Sequence, residues 1–256
     1  MRTFRFAPSP NGLLHLGHAR SALVNQREAA AVEGQVLLRI EDIDTARCTP
    51  ALEAAMLEDL RWIGFRWHGE PVRQSERFHL YAEALERLAP FLYEGWMSRA
   101  ELRAATAVPG WPRDPDGAPF PPPAEREPVA GRTPVLRLDT ARALKAWPEH
   151  QAARAWGDPV LCRRDTPASY HLAVVVDDAA QGVSDVVRGM DLEPATSLHR
   201  LLQSLLGLPT PRYRHHSLVL GPDGRKLSKS QGAPSLRELR ERGVTAAEVR
   251  RMALAK

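Results

Sequence analysis

The sequence predicts an α/β fold built on a parallel sheet, and three observations carry that prediction. The chain opens with a strand, loop, helix, strand pattern; a short all-apolar run recurs at residues 172–176; and the composition is 43% hydrophobic and 26% charged over 256 residues. A chain of this length and composition can bury a sizeable core, which excludes disorder as its main state.

Residues 3–7 alternate polar and apolar side chains and stop at Pro8-Ser9-Pro10-Asn11-Gly12, a cluster of turn formers, so a strand gives way to a loop. From Leu14 onward, Leu16, Ala19, Leu23 and Val24 recur at helical spacing, Gly34 closes the helix, and residues 35–40 supply a second strand. A strand, a crossover helix and a second strand imply parallel pairing. Helical patterns follow at 50–63 and 77–93. Residues 170–177 are expected to form a strand buried on both faces, because Leu172-Ala173-Val174-Val175-Val176 is a continuous apolar run. Beyond Arg188 come a helix at 194–206, a turn-rich strand at 215–220 and a short helical tail. Residues 108–134 hold nine of the 22 prolines and little periodicity, which excludes a helix interior or a central strand and marks a surface loop.

No stretch approaches the eighteen or so apolar residues of a membrane span, and residues 1–5 open no signal-peptide pattern, so no membrane partner and a cytoplasmic location are expected. Cys48 and Cys162 lie far apart, which rules out a disulfide framework or a zinc knuckle made from cysteine alone. The net charge of +4 is unevenly spread: residues 188–256 carry 13 basic and six acidic side chains, a balance of +7. That quarter is the candidate polyanion face, with a solvated basic helical surface as the alternative.

Two motifs carry chemistry. His15-Leu16-Gly17-His18 falls where the first loop becomes the first helix, so its imidazoles share one face at a helix N-terminus. Free N–H groups and the helix dipole favour phosphate there, and Gly17 lets a nucleotide approach the backbone. The second is Lys226-Leu227-Ser228-Lys229-Ser230, bracketed by glycines; a solvated basic loop is the plain alternative. Yet Lys145, Lys226, Lys229 and Lys256 are the only lysines against 31 arginines, and two of the four meet in this stretch. Two ammonium groups three residues apart suit a triphosphate.

Together the two motifs resemble the signature pair of class I aminoacyl-tRNA synthetases. Residues 5–18 and Leu38-Arg39-Ile40-Glu41-Asp42-Ile43-Asp44 look like the catalytic domain of glutamyl-tRNA synthetase. A full enzyme of that kind continues into an anticodon-binding region of comparable length, whereas this sequence ends at Lys256. The shorter form is similar to the glutamyl-Q tRNA(Asp) synthetase family, which attaches glutamate to the queuosine base at the wobble position of tRNA(Asp).

The resemblance implies a Rossmann-type parallel sheet with an insertion and a small C-terminal helical segment: one nucleotide-binding half over 1–93, the insertion over 94–157, the second half over 158–207, and a lysine-loop and basic helical segment over 208–256. It implies a ligase that uses ATP and Mg²⁺, takes L-glutamate and tRNA(Asp) carrying queuosine, and works as a monomer. His15, Gly17, His18, Lys226 and Lys229 would bind ATP, and the two histidines and two lysines would serve catalysis. The family pattern places Arg5, Ala7, Ser9, Glu41, Tyr170 and Arg188 in the glutamate pocket. A substrate with two carboxylates and one ammonium asks for two arginines and one carboxylate, which this set contains.

The family commonly holds zinc in the insertion. The corresponding positions here, Gly95, Met97, Val108 and Pro112, offer no such ligand, so zinc is not expected. Two further readings stay open: ordinary charging of tRNA(Glu) at its 3′ end, and a tRNA-binding paralogue without catalysis.

Overall fold

The computed structural model describes residues 1–221 and 234–255. Lys226 and Lys229 lie outside the described residues. In chain order the elements are β1 (Thr3–Phe6), α1 (Leu16–Ala30), β2 (Gln35–Ile40), α2 (Pro50–Trp62), β3 (Val72–Arg73), α3 (Phe78–Leu88), β4 (Leu92–Gly95), α4 (Arg99–Ala105) and β5 (Val135–Leu138). They continue with α5 (Thr140–Ala146), β6 (Val160–Cys162), α6 (Tyr170–Ala180), β7 (Asp185–Gly189), α7 (Ala195–Leu205), β8 (Arg212–His216), α8 (Leu236–Glu241) and α9 (Ala246–Leu254). None of the described helices is long and apolar enough to cross a membrane. The chain forms two compact units.

The first unit comprises Met1–Glu76, Gln181–Glu193 and the described part of Pro211–Lys256. Its sheet has the order β3-β2-β1-β7-β8, and every neighbouring pair is parallel. Successive side chains of a strand point to opposite faces, and partners in register share a face. Arg5 pairs with Leu37, Phe4 with Asp185, and Arg188 with His215. One face therefore carries Phe4, Phe6, Val36, Leu38, Ile40 and Val187, all buried in one apolar cluster with Ala19, Leu23 and Val24 of α1. The opposite face carries Arg5, Arg39, Arg188, Tyr213 and His215. The alternation legible in Thr3-Phe4-Arg5-Phe6 is thus the division between core and site. Arg20, buried in α1, donates to the carbonyls of Ala253 (2.9 Å) and Ala255 (2.7 Å), answering the unpaired carbonyls at the end of α9.

The second unit comprises Arg77–Ala180 and Pro194–Thr210. Its sheet, β4-β5-β6, is antiparallel. Residues 170–177 are not the expected strand but the greater part of α6. Leu172, Ala173, Val174, Val175, Asp177 and Asp178 are all buried there. A helix buried on several faces reads as a continuous apolar run, so periodicity cannot separate it from a buried strand. Asp177 fastens α6 to α3 by accepting from Arg77 Nε (2.6 Å) and the Tyr81 hydroxyl (2.7 Å). The helix expected to reach residue 93 ends at Leu88, two residues before Pro90, and Leu92 already pairs with Leu138 in β4. Residues 108–134 contain a single short turn of helix, Pro123–Arg126, and one isolated bridge between Arg113 and Pro119, in keeping with their proline content.

Candidate active site

In the first unit the chain leaves β1 toward β2 and β3 on one side, while β7 and β8 lie on the other. In an open parallel sheet such a reversal of strand order leaves a crevice at the carboxyl ends of the two central strands, here β1 and β7. Among the described residues of this unit, those that the sequence predicts for the site lie on these strands or in the segments that follow β1 and β2. Arg5 lies on β1, with Ala7 and Ser9 in the loop that follows; Glu41 is the first residue past β2; Arg188 is the penultimate residue of β7. The Glu41 N–H donates to the Pro8 carbonyl at 2.9 Å, tying the exits of β1 and β2 together. Arg5 and Arg188 are buried, at 4% and 3% exposure.

Glu41 is held by a residue the sequence reading passed over. Arg39, fully buried, donates from Nη2 to Glu41 Oε1 at 3.2 Å and from Nη1 to Gln181 Oε1 at 3.0 Å. A signal for it was present: a charged residue between Leu38 and Ile40, two residues before a glutamate, must share the face of that glutamate on a strand. Arg188 is set by His215 and Tyr213, also absent from the sequence reading. Its Nε donates to His215 Nε2 at 3.4 Å, and its guanidinium lies 5.2 Å from the centre of the Tyr213 ring. Burial, aided by the Arg188 charge, pushes the His215 imidazole below its ordinary range, which keeps it neutral and able to accept.

Cys48 approaches Ser9, with Sγ 3.6 Å from Ser9 Oγ, and it donates to the Glu41 carbonyl at 3.9 Å. Burial pushes its thiol up, so it stays protonated and is no nucleophile. Beyond Cys48 a cavity of about 500 Å³ opens, its wall including Asp42, Ser75, Arg73 and Glu53.

His15 is the N-cap of α1. Its Nδ1 accepts from the Gly17 N–H at 3.0 Å, and His18 Nδ1 accepts from the His15 N–H at 3.2 Å, a capping box made from two imidazoles. Both rings are therefore fixed with the proton on Nε2, which presents a donor edge. The rings stack obliquely with centroids 4.0 Å apart. A Cβ on Gly17 would lie 2.8 Å from His15 Cε1, so the glycine makes room for this cap. The segment that follows the undescribed residues is anchored at the same point: Ser235 bridges to His15, and the Leu236 N–H donates to the Leu14 carbonyl at 2.7 Å. Tyr170 begins α6 of the second unit, its ring 5.3 Å from that of His171 and 5.8 Å from that of His199.

A five-stranded parallel sheet with a helix N-terminus after its central strand, and arginines on one face, has the donor chemistry that suits phosphates and carboxylates. Residues 2–96 and 149–255 match the profile of the family described as tRNA synthetases class I (E and Q), catalytic domain. The chain belongs to that family. It is 44% identical to the glutamyl-Q tRNA(Asp) synthetase of Rhodobacter capsulatus, over 97% of this chain and 98% of the relative. It is 42% identical to that of Symbiobacterium thermophilum, over 94% and 82%. The solved glutamate-tRNA synthetase of Elizabethkingia anophelis superimposes with a TM-score of 0.68 at 29% identity, covering 90% of this chain and 53% of that one. The chain thus spans about half the length of that solved synthetase, and it shares the α/β fold of the class.

The zinc site common among synthetases of this type does not fit the residues present. Gly95 ends β4, and a Cβ there would collide with the Glu125 carboxylate and lie 3.1 Å from Arg137 Nε. Glu125, fully buried, accepts from Arg137 Nε at 2.6 Å and from the Met97 N–H at 2.9 Å. An ion pair thus fills the space beside Gly95 and Met97. Among the described residues no group of three or more His, Cys, Asp or Glu could hold a metal ion.

Proposed function

We propose that the chain activates L-glutamate with ATP, taken as its magnesium complex, and transfers the glutamyl group to queuosine at the wobble position of tRNA(Asp). The observation that carries this reading is the 44% identity that runs over nearly the whole of both this chain and a glutamyl-Q tRNA(Asp) synthetase. In the first step an oxygen of the glutamate α-carboxylate attacks the α-phosphorus of ATP, the bond to diphosphate breaks, and glutamyl-adenylate forms. In the second, a hydroxyl of the queuosine cyclopentene diol attacks the acyl carbon, and the C–O bond to AMP breaks.

No side chain needs to act as a nucleophile; the work is positioning and charge stabilisation. Arg5 and Arg188 take the two carboxylates and Glu41 the ammonium, while Ala7, Ser9 and, by the family pattern, Tyr170 line the pocket. His15, Gly17 and His18 meet the phosphates and ribose at the start of α1, with the two Nε2–H groups as donors. By the family pattern Lys226 and Lys229, which lie outside the described residues, take the diphosphate. The basic side chains of residues 188–256 grip the phosphates of the RNA, which makes its binding salt-dependent.

The test is transfer of radiolabelled glutamate to tRNA(Asp) with and without queuosine. Label should enter only the queuosine-containing tRNA. Efficient charging of unmodified tRNA(Glu) at its 3′ end, with none on queuosine tRNA(Asp), would replace this reading by ordinary charging.

In the insertion the Glu125–Arg137 pair takes the place of a metal as the cross-link between β5 and the segment that follows β4. Purified protein should accordingly contain no stoichiometric zinc, and its melting temperature should not respond to a chelator. A tightly bound equivalent of zinc, or a melting temperature lowered by chelation, refutes this.

A further inference from the structure

The face of the sheet that carries Arg5 and Arg188 carries a third arginine that the glutamate pocket does not require for its carboxylates. Arg39 is among the largest fully buried side chains of the chain, and a buried guanidinium is expensive unless it is paired. Two of its partners differ in kind. One is a charged carboxylate, Glu41 Oε1 at 3.2 Å; the other is a neutral amide, Gln181 Oε1 at 3.0 Å. Glu41 is thus a charged partner of the guanidinium, and Gln181 is a polar one that helps to hold its plane.

Strand geometry makes the arrangement rigid. Arg39 and Glu41 are two residues apart, on the same face, and the β2 backbone at Arg39 is paired with Val72 of β3. The Glu41 side chain lies only one residue beyond that ladder, with its own N–H bound to the Pro8 carbonyl. The Glu41 side chain is 11% exposed and the Arg39 side chain is wholly covered, so the guanidinium meets the carboxylate from its buried side.

We propose that Arg39, held by Gln181, is a positioning residue that orients Glu41 toward the α-ammonium of the substrate and so sets the preference for an amino acid over a plain dicarboxylate. The proposal rests on the reading of Glu41 as the ammonium acceptor. A planar donor fixed on one carboxylate oxygen sets the direction in which the group accepts its next hydrogen bond, a task a flexible point charge performs poorly. Arg39 touches no substrate atom in this scheme.

The experiment compares L-glutamate with glutarate, which has both carboxylates and lacks the ammonium. In ATP–diphosphate exchange by the full chain, the KM for L-glutamate and the inhibition constant of glutarate are measured for the parent protein, Arg39→Met, Arg39→Lys, Gln181→Ala and Glu41→Gln. Arg39→Met should raise the glutamate KM by about tenfold or more and leave the glutarate constant unchanged, the scale for losing a charged hydrogen bond. Gln181→Ala, at a half-buried position, should show the same pattern with a smaller change, and it serves if Arg39→Met does not fold. Arg39→Lys should fall close to Arg39→Met. The Arg39→Met, Glu41→Gln double variant should discriminate no worse than Glu41→Gln alone.

Equal losses toward glutamate and glutarate in the Arg39 and Gln181 variants would make Arg39 a structural residue and overturn the proposal. If Glu41→Gln leaves the preference intact, the reading of Glu41 itself fails. If Glu41→Gln abolishes the preference while the Arg39 and Gln181 variants keep it, the proposal alone fails.

Discussion

Arg188→Ala is expected to reduce glutamate activation by about 3 kcal/mol, on the order of 10²-fold in kcat/KM of ATP–diphosphate exchange. The side chain is buried on the site face of β7, where His215 accepts from its Nε and the Tyr213 ring lies beside its guanidinium. Its removal would leave a substrate carboxylate out of water without a partner. Arg188→Lys should recover little, since an ammonium cannot reproduce the two-pronged donor geometry. Full rescue by lysine would show that charge alone matters at this position.

The same contact gives a pH dependence whose sign follows from the depressed His215. Its folded-state value lies below the ordinary imidazole value of 6.5, so the unfolded chain takes the proton first. The neutral imidazole therefore stabilises the folded state fully above about pH 6.5, and that contribution is lost as pH falls through the folded value. Protonated His215 would sit beside Arg188 as a second cation. Glutamate KM should rise on acidification in the parent protein, and His215→Gln should flatten that rise.

Asp59→Asn is expected to stabilise the protein at pH 8 by about 2 kcal/mol and to lose that gain toward pH 4. Asp59, on α2, is 1% exposed; neither oxygen has a hydrogen bond, and an Arg240 guanidinium nitrogen stands 3.7 Å away. Burial raises the carboxyl from 3.8 to about 6, a pull that Arg240 and Arg237 only partly offset. A folded-state value above the unfolded one means that ionisation opposes folding. The cost is absent below about pH 4, grows between pH 4 and 6, and is complete above pH 6, where about two pH units correspond to roughly 3 kcal/mol. An asparagine removes the charge but leaves an amide to satisfy, which subtracts about 1 kcal/mol. Urea unfolding at pH 8 and pH 4.5 measures the difference. An equal gain at both pH values would assign the effect to packing instead of charge.

Much of the first unit is legible in the sequence. The alternation in Thr3-Phe4-Arg5-Phe6, the turn formers after it and the helical spacing from Leu16 mark a strand, a loop and a helix, because each is a local pattern with its own period. The placement of His15 at a helix start is equally local, and its role as N-cap follows from it. The run at Leu172–Val176 escapes a local reading for the converse reason. A local apolar run carries no period, and whether it becomes strand or helix depends on what surrounds it, here α3 through Arg77, Tyr81 and Asp177.

Local sequence is enough to set the chemistry available: a glycine and two histidines at a helix start, arginines on strands, a glutamate at a strand end, and no ligand side chain at the expected metal positions. Only the tertiary structure decided which of these meet. Parallel register aligns Arg5 with Leu37 and Phe4 with Asp185, which brings Arg5, Arg39 and Arg188 to one face although Arg188 is 183 positions from Arg5 in the chain. Register depends on hydrogen bonds between distant strands, and a slip by one residue would send each arginine into the apolar cluster and each phenylalanine to the site. His215 arrives by the same long-range pairing and Gln181 from the turn that precedes β7, and the buried Glu125–Arg137 pair fills a space that exists only because Gly95 has no side chain and β4 lies against β5.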